Sequence, residues 1–304
     1  MPDVLALFGP TAVGKTAVAV ALAQRLRARG DDPVAVSADA LQVYRGLETL
    51  TGVASPAEQA QLEHRLVSFL ALRQRFSVAE YQPLAHAEID GLLAAGRTPI
   101  VVGGTGLYLR AALAGLQLRP PPEPGVRERL EAEADVRGPA ILHERLAEAA
   151  PWAAQRIAPT DRSRVVRALE LREQGALHPP PAQSELWTGR TRHPTRLAGL
   201  TMEREALRIR IDERVDAMLA AGVEHEVRAA AAARASPTAR AAVGFRELLD
   251  GDHEAMRRNT RRYARRQMTW LRKLPGAQLI DTTGRSPEDV AAQILEERAV
   301  DRPR

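Results

Sequence analysis

Residues 9–16 read Gly9-Pro10-Thr11-Ala12-Val13-Gly14-Lys15-Thr16, and the rest of the architecture can be built outward from them. They follow a short apolar run, residues 4–8, that is typical of a buried strand, and they open a segment with apolar residues at helical spacing, residues 16–29. A second apolar run at residues 34–37 completes a strand–loop–helix–strand unit. The eight residues match the glycine-rich loop whose backbone N–H groups hold phosphates at a helix N-terminus. We therefore predict a parallel α/β sheet with a phosphate site.

Two side chains of this loop carry its expected chemistry. Lys15 would bridge phosphate oxygens, and Thr16 would ligate Mg²⁺. Only Lys15 and Lys273 are lysines among 43 basic residues, so a lysine at this place in an arginine-rich chain favours a functional role. Because cysteine is absent, a bound metal must be a hard cation held by oxygen, and Mg²⁺ is the prediction.

Asp39 is the acid that the sequence places beside the phosphate loop. It follows the second predicted strand, and ligands of open α/β sheets bind beyond the carboxyl ends of strands. An acid there can accept a proton from a nucleophile that faces the phosphates, although a turn or helix-cap residue is the alternative interpretation. The strand predicted at residues 99–102 ends in glycines, where a kinase or ATPase usually has a second carboxylate for Mg²⁺.

Two proline clusters divide the chain. Pro120–Pro124 and Pro179–Pro181 bracket a charged, alanine-rich stretch with helical periodicity and no strand pattern. Strand patterns return at residues 197–201 and 278–281. We predict an α/β core formed by residues 1–118 and 196–304, interrupted by an all-helical subdomain of residues 119–195.

The composition excludes several classes of protein. No apolar run approaches the roughly 18–20 residues of a membrane helix, and the first residues lack the basic segment of a signal peptide, so we expect a cytoplasmic protein. The absence of cysteine excludes disulfide scaffolds and thiolate zinc sites. The formal net charge of +5 fits a polyanionic partner. No extended heptad pattern is present, and a monomer is predicted.

Residues 256–273 predict a strongly basic helix. Arg258, Arg262 and Arg266 recur every four residues, and Arg257, Arg261 and Arg265 lie beside them, which gives one broad basic face. Such a face can follow a nucleic-acid backbone and release its counterions. A solvated surface without a ligand is the alternative interpretation.

The chain resembles the tRNA dimethylallyltransferases, also called isopentenyl-tRNA transferases, in segments that occur in the family's order from residue 4 to about residue 290. The phosphate loop alone is common, whereas the segments around Tyr44 and Trp270 are specific to the family. The matching segments are residues 9–16, 37–46, 101–109, 161–170, 210–219, 243–247 and 260–272. The resemblance implies a P-loop NTPase-like parallel sheet core with an inserted all-helical subdomain.

The resemblance also implies a reaction. Dimethylallyl diphosphate would donate its five-carbon group to N6 of adenosine 37, beside the tRNA anticodon. The phosphate loop with Mg²⁺ would hold a diphosphate that leaves, and Thr11, Lys15 and Arg214 would stabilise its growing charge, with Arg210 as the second choice to Arg214. Asp39 would accept the N6 proton.

The resemblance further assigns residues that would contact tRNA, the expected macromolecular partner. The flipped nucleotide would touch Asp39, Ala40, Leu41, Gln42 and Thr105. Neighbouring tRNA would touch Arg127 and the run Ser163, Arg164, Val165, Val166 and Arg167. The C-terminal half would contribute Arg240, Arg246, Arg262 and Arg266.

Residues 47–72 depart from the family's usual sequence and place the local loop and its tRNA contacts in question. Three other functions stay open at this point. An adenylate isopentenyltransferase would prenylate free AMP, ADP or ATP, but it needs neither the insertion nor the basic helix. A P-loop small-molecule kinase would use the same loop to turn over ATP. A non-catalytic RNA-binding protein would have no use for Lys15 and Asp39.

Overall fold

The computed structural model describes residues 4–121, 123–179 and 185–300, with side chains to residue 296. It divides into two compact units. The first comprises the residues up to Leu116 and those from Glu185 onward, and the second comprises residues 117–184.

Within the described residues, six strands form one parallel sheet in the order β3-β2-β4-β1-β5-β6. The strands are β1 (Val4–Phe8), β2 (Pro33–Ser37), β3 (His64–Arg65), β4 (Thr98–Gly103), β5 (Thr195–Thr201) and β6 (Ala277–Asp281). The predicted α/β class with a parallel sheet is confirmed.

Helices of the first unit cover the sheet and build the walls beyond its carboxyl end. Before the insertion they are α1 (Lys15–Arg27), α2 (Glu48–Thr51), α3 (Pro56–Gln61), α4 (Val78–Ala94) and α5 (Gly106–Leu113). After it they are α10 (Arg204–Ala220), α11 (Val223–Ala232), α12 (Pro237–Arg240), α13 (Phe245–Leu249), α14 (His253–Leu271) and α15 (Pro287–Val300).

The sheet core explains where a site can form. Helices α1 and α15 pack against the strands through buried aliphatic side chains such as Leu22, Leu26 and Ile294. Strand β1 pairs with β4 so that Phe8 lies opposite Gly103, and β2 pairs with β4 so that Ser37 lies opposite Val102. All three strands therefore end at one edge, and the loops that follow them meet there.

All the regular secondary structure among the described residues of the second unit is helical. It contains α6 (Val126–Arg137), α7 (Pro139–Ala149), α8 (Pro151–Ala154) and α9 (Arg162–Glu173). Its core is small and aliphatic, with Leu130, Leu146 and Leu169 each at most 1% exposed. Buried Glu170 on α9 accepts hydrogen bonds from Arg127 and Arg167, which neutralises its charge.

The second boundary of the insertion lies earlier than the predicted residue 195, because residues 185–195 belong to the first unit. Buried Arg110 on α5 donates to the carbonyls of Glu185, Leu186 and Arg190. Trp187, in a 3₁₀ turn, stacks on Trp270 with ring centroids 4.8 Å apart. These contacts fix the segment to the core.

Of the two proline clusters, Pro122, Pro180 and Pro181 lie outside the described residues.

In the part of the chain that the structure describes, no helix combines the length and the apolar character that crossing a membrane would require.

Candidate functional site

The phosphate loop connects β1 to α1 as the sequence predicts. Ala12 and Gly14 take left-handed backbone conformations, with φ of 65° and 98°, so the chain turns tightly before α1 begins at Lys15. The Nζ of Lys15 donates to the carbonyl oxygens of Gly9 and Pro10 at 3.0 and 2.9 Å. The first turn of α1 and the lysine therefore present positive charge at one place.

Lys15 and Arg214 form a pair of cations at this loop. Burial, together with the nearby charge of Arg214, lowers the pKa of Lys15 from 10.5 to about 8, and Asp39 offsets only part of this. Burial also lowers the pKa of Arg214. Neither side chain has an ion-pair partner within the described residues. Two cations that repel each other in a cavity are suited to bind an anion with more than one charge.

Helix α10 supplies Arg214. One of its guanidinium nitrogens lies 1.7 Å from where a Cβ on Gly52 would be, so the glycine leaves the space that the arginine occupies. Arg210, one turn earlier on α10, lies 3.6 Å from the equivalent position on Gly14. The structure thus brings both arginines to the phosphate loop.

Asp39 lies just beyond the end of β2 and is held from two directions. One carboxylate oxygen accepts from the backbone N–H of Leu41 at 2.9 Å, and the other accepts from the Thr105 hydroxyl at 3.2 Å. The Thr105 hydroxyl also lies 3.5 Å from the Tyr263 hydroxyl. Burial, and then the charge of Asp39, raises the pKa of Tyr263, so the phenol stays neutral. Asp39 keeps lone pairs for one further donor.

Gln267 joins the phosphate loop to the loop after β4. Its Oε1 accepts from the backbone N–H of Thr11 at 2.7 Å, and its Nε2 donates to the carbonyl of Gly104 at 2.9 Å. The side chain is 4% exposed. Gln267 was not among the residues predicted for the site, although it lies in the family-matching segment 260–272 and four residues after Tyr263, away from the basic face.

Gln42 has a supporting role in this structure. Its amide accepts from the Ser37 hydroxyl at 2.8 Å and donates to the carbonyl of Gly52 at 2.9 Å. These bonds hold the turn that receives Arg214. A flipped nucleotide that contacts the Gln42 amide, as predicted, would have to replace these hydrogen bonds. The side chain of Leu41 lines the cavity and is apolar, so it makes no such hydrogen bonds.

A cavity of about 580 Å³ unites these groups in the first unit. Its polar lining includes Thr11, Lys15, Asp39, Arg214 and Gln267. Its apolar lining includes Leu50, Val215, Met218, Val243 and Met256.

The cavity can accept a magnesium ion only together with an anionic ligand. Thr16, the second residue of α1, lines it and offers a hydroxyl oxygen. Among the described residues no cluster of three or more His, Asp or Glu side chains could hold a metal. One hard oxygen donor fits Mg²⁺ when phosphate oxygens and water supply the other ligands.

The basic face of α14 offers fewer arginines to a ligand than predicted, because several of them pair with acidic residues. Arg257 pairs with Asp216 and Arg261 with Asp212, so these arginines bind α14 to α10. Arg258 lies 3.8 Å from Asp252.

Three other arginines of α14 remain for a ligand. Arg262, Arg265 and Arg266 are exposed and have no ion pair among the residues described. The Arg266 guanidinium lies over the Tyr263 ring, 5.5 Å from its centroid.

A second cavity of about 270 Å³ adjoins the first and shares residues 241–243 and Arg266 with it. Arg240 and Arg246 line it as well. Arg246 is highly exposed and lies 3.5 Å from Asp250. Three arginines therefore surround one opening beside the main cavity.

Residues predicted for tRNA in the helical unit divide into three groups. Val165 and Val166 are buried in its core, so a contact with tRNA at these positions would have to use the backbone. Arg127 and Arg167 bind Glu170. Ser163 and Arg164 are exposed at the start of α9. Helical periodicity alone did not distinguish the buried face of α9 from its exposed face.

Comparison with known proteins identifies relatives that are tRNA dimethylallyltransferases. The family profile described as IPP transferase matches residues 42–274, and one described as isopentenyl transferase matches residues 2–75. A tRNA dimethylallyltransferase of Symbiobacterium thermophilum is 41% identical, over 95% of this chain and 94% of that protein. One of Thermobifida fusca is 43% identical, over 90% and 88%.

A solved structure is similar over nearly the whole chain. The tRNA isopentenylpyrophosphate transferase of Bacillus halodurans has a TM-score of 0.68 at 33% identity and covers 99% of both chains.

Proposed function

The chain belongs to the IPP transferase family of tRNA dimethylallyltransferases, and from this premise we propose that it transfers a dimethylallyl group from dimethylallyl diphosphate to N6 of adenosine 37 in the tRNA anticodon loop. The products are N6-(dimethylallyl)adenosine and diphosphate. The observation that carries the proposal is that one cavity holds Lys15 and Arg214, two cations that pair with no acid among the described residues, together with the carboxylate of Asp39.

The bond changes assign a role to each group. The N6 nitrogen forms a bond to the allylic carbon while the carbon–oxygen bond breaks, and the diphosphate leaves with the electron pair. Asp39 accepts the proton that N6 loses. Its hydrogen bonds from Leu41 and Thr105 fix the carboxylate without occupying all its lone pairs.

Charge grows on the diphosphate as the bond breaks. Lys15 and Arg214 stabilise that charge more in the transition state than in the ground state, and Thr11 adds a hydroxyl at the same loop. Binding of the diphosphate also relieves the repulsion between the two cations. A bound Mg²⁺ would neutralise further negative charge, with Thr16 as its protein ligand.

The acceptor adenosine must leave its stack to reach a cavity. Unstacking is less costly in an anticodon loop than in a duplex. Arg240, Arg246 and Arg266, which line the adjoining opening, would bind phosphates of that loop together with Arg262 on α14. Because tRNA is the acceptor, we place the reaction in the cytoplasm.

A free-nucleotide acceptor is the main rival. The profile for isopentenyl transferases matches residues 2–75, which include the phosphate loop and Asp39. The exposed arginines of α14 favour tRNA, because AMP has too few phosphates to engage them.

The test is a transfer assay with labelled dimethylallyl diphosphate and Mg²⁺, with unmodified bulk tRNA and AMP in parallel reactions. Label only at N6 of adenosine 37 is the expected result. Label only in AMP would replace the proposal by a nucleotide isopentenyltransferase. ATP hydrolysis in a third reaction, with no prenyl transfer in the first two, would favour a kinase-type activity instead.

A further inference from the structure

The cavity has an apolar wall that begins beside Arg214. Arg214 lies over Gly52, and Leu50 lies two residues before that glycine, on α2. Met256, near the start of α14, lines the same cavity. The cationic part of the site thus continues directly into an apolar part, as an allylic diphosphate requires.

Leu50 and Met256 meet at the backbone of Gly244. A Cβ on this glycine would lie 2.9 Å from the Met256 methyl carbon and 3.1 Å from a Leu50 methyl carbon. Its φ of 96° also disfavours any side chain. Both apolar side chains are more than nine-tenths buried. Leu50, Met256 and the Gly244 backbone therefore form one closed surface, which we term the apolar stop.

The short helix that carries Leu50 is held at both ends. The Glu226 carboxylate accepts from the backbone N–H groups of Thr49 and Leu50 at 2.9 and 2.8 Å. At the other end Gln42 donates to the carbonyl of Gly52 at 2.9 Å. A wall fixed in this way cannot retreat easily from a larger ligand.

We propose that the apolar stop limits the transferred prenyl group to one five-carbon unit, with Leu50 and Met256 as specificity-determining residues. This inference rests on the proposed function. The cavity must hold the acceptor base, the diphosphate and the prenyl group together. A second isoprene unit adds five carbons, and its atoms would have to displace Leu50 or Met256 from their contacts with Gly244.

The experiment compares kcat/KM for dimethylallyl diphosphate with kcat/KM for the ten-carbon geranyl diphosphate, using tRNA as acceptor. Wild type should prefer the five-carbon donor by about a hundredfold or more, since single methylenes at such walls are worth about 10–200-fold. Met256→Ala should lower that preference at least about tenfold, and Leu50→Ala should act in the same direction. Met268→Ala, a methionine of the same helix that does not line the cavity, is the matched control and should leave the preference unchanged.

Two results would overturn the inference. An unchanged donor preference in both Met256→Ala and Leu50→Ala would show that the apolar stop does not contact the prenyl tail. A rise in the KM for tRNA with no change in donor preference would assign the wall to the acceptor base. Should the alanine variants fail to fold, Leu50→Val removes one methylene and tests the same direction. Absence of five-carbon transfer by wild type would instead contradict the proposed function.

Discussion

The pKa of Lys15 can be measured directly because the chain contains only two lysines, Lys15 and Lys273. Isotope-labelled lysine gives two side-chain signals in a nuclear magnetic resonance titration. One belongs to Lys15 in the cavity, and the other to exposed Lys273, which serves as the internal reference. The perturbations are addition of inorganic diphosphate and the substitution Arg214→Met.

The magnitude follows from the site. A pKa lowered from 10.5 to about 8 means that charging Lys15 costs roughly 3 kcal/mol more in the folded protein than in water. Water in the cavity makes this an upper value. Between pH 8 and 10.5 the unfolded chain binds more protons than the folded one, so the free energy of unfolding rises with pH across that window. Below pH 8 the full penalty is present.

We expect the Lys15 signal to titrate with a pKa near 8 in the free protein. Diphosphate should raise this pKa, because an anion stabilises the ammonium form. Arg214→Met should also raise it by removing a neighbouring positive charge. A pKa near 10.5 that diphosphate does not change would refute the assignment of Lys15 to an anion site.

Three further predictions concern Asp39, Gln267 and the exposed arginines of α14. Asp39→Asn should keep donor binding and slow single-turnover prenyl transfer about 10²–10⁴-fold; a rate within threefold of wild type would remove Asp39 as the base. Gln267→Met should lower the free energy of unfolding in urea by about 1–3 kcal/mol for each polar group left unpaired, and unchanged stability would contradict its bridging role. The double variant of Arg262 and Arg266 to alanine should flatten the salt dependence of tRNA affinity by roughly one to two in the logarithmic slope, whereas ion-paired Arg257→Ala should not. Equal slopes for the two variants would assign the RNA surface elsewhere.

Local patterns predicted the elements that position the site. The apolar run of β1, the glycine loop and the helical spacing of α1 are each contiguous, so they can be read without tertiary contacts. Strand β3 has only two residues, His64 and Arg65, which is too short for any periodicity. Its existence depends on pairing with β2.

Contacts between distant residues explain what the sequence did not reveal. Gln267 reaches Thr11 across 256 residues. The partner of Arg261 on α10 is 49 residues away, so the spacing of arginines in α14 could not separate those that bind α10 from those that face solvent. Val165 and Val166 match the family's motif, yet their side chains belong to a core that only the folded helical unit defines.

Helix α14 lines the cavity on one face and exposes arginines on another, which restricts the sequence changes that it can accept. Its cavity face carries Met256, Tyr263 and Gln267, and its outer face carries Arg262 and Arg265. Each residue along a helix turns the side-chain direction by about 100°. Deletion of a single residue between Tyr263 and Gln267 would rotate the glutamine away from Thr11, whatever residue was removed. Point substitutions on the outer face leave these side-chain directions unchanged. Sequence changes in this helix should therefore be substitutions and almost never insertions or deletions.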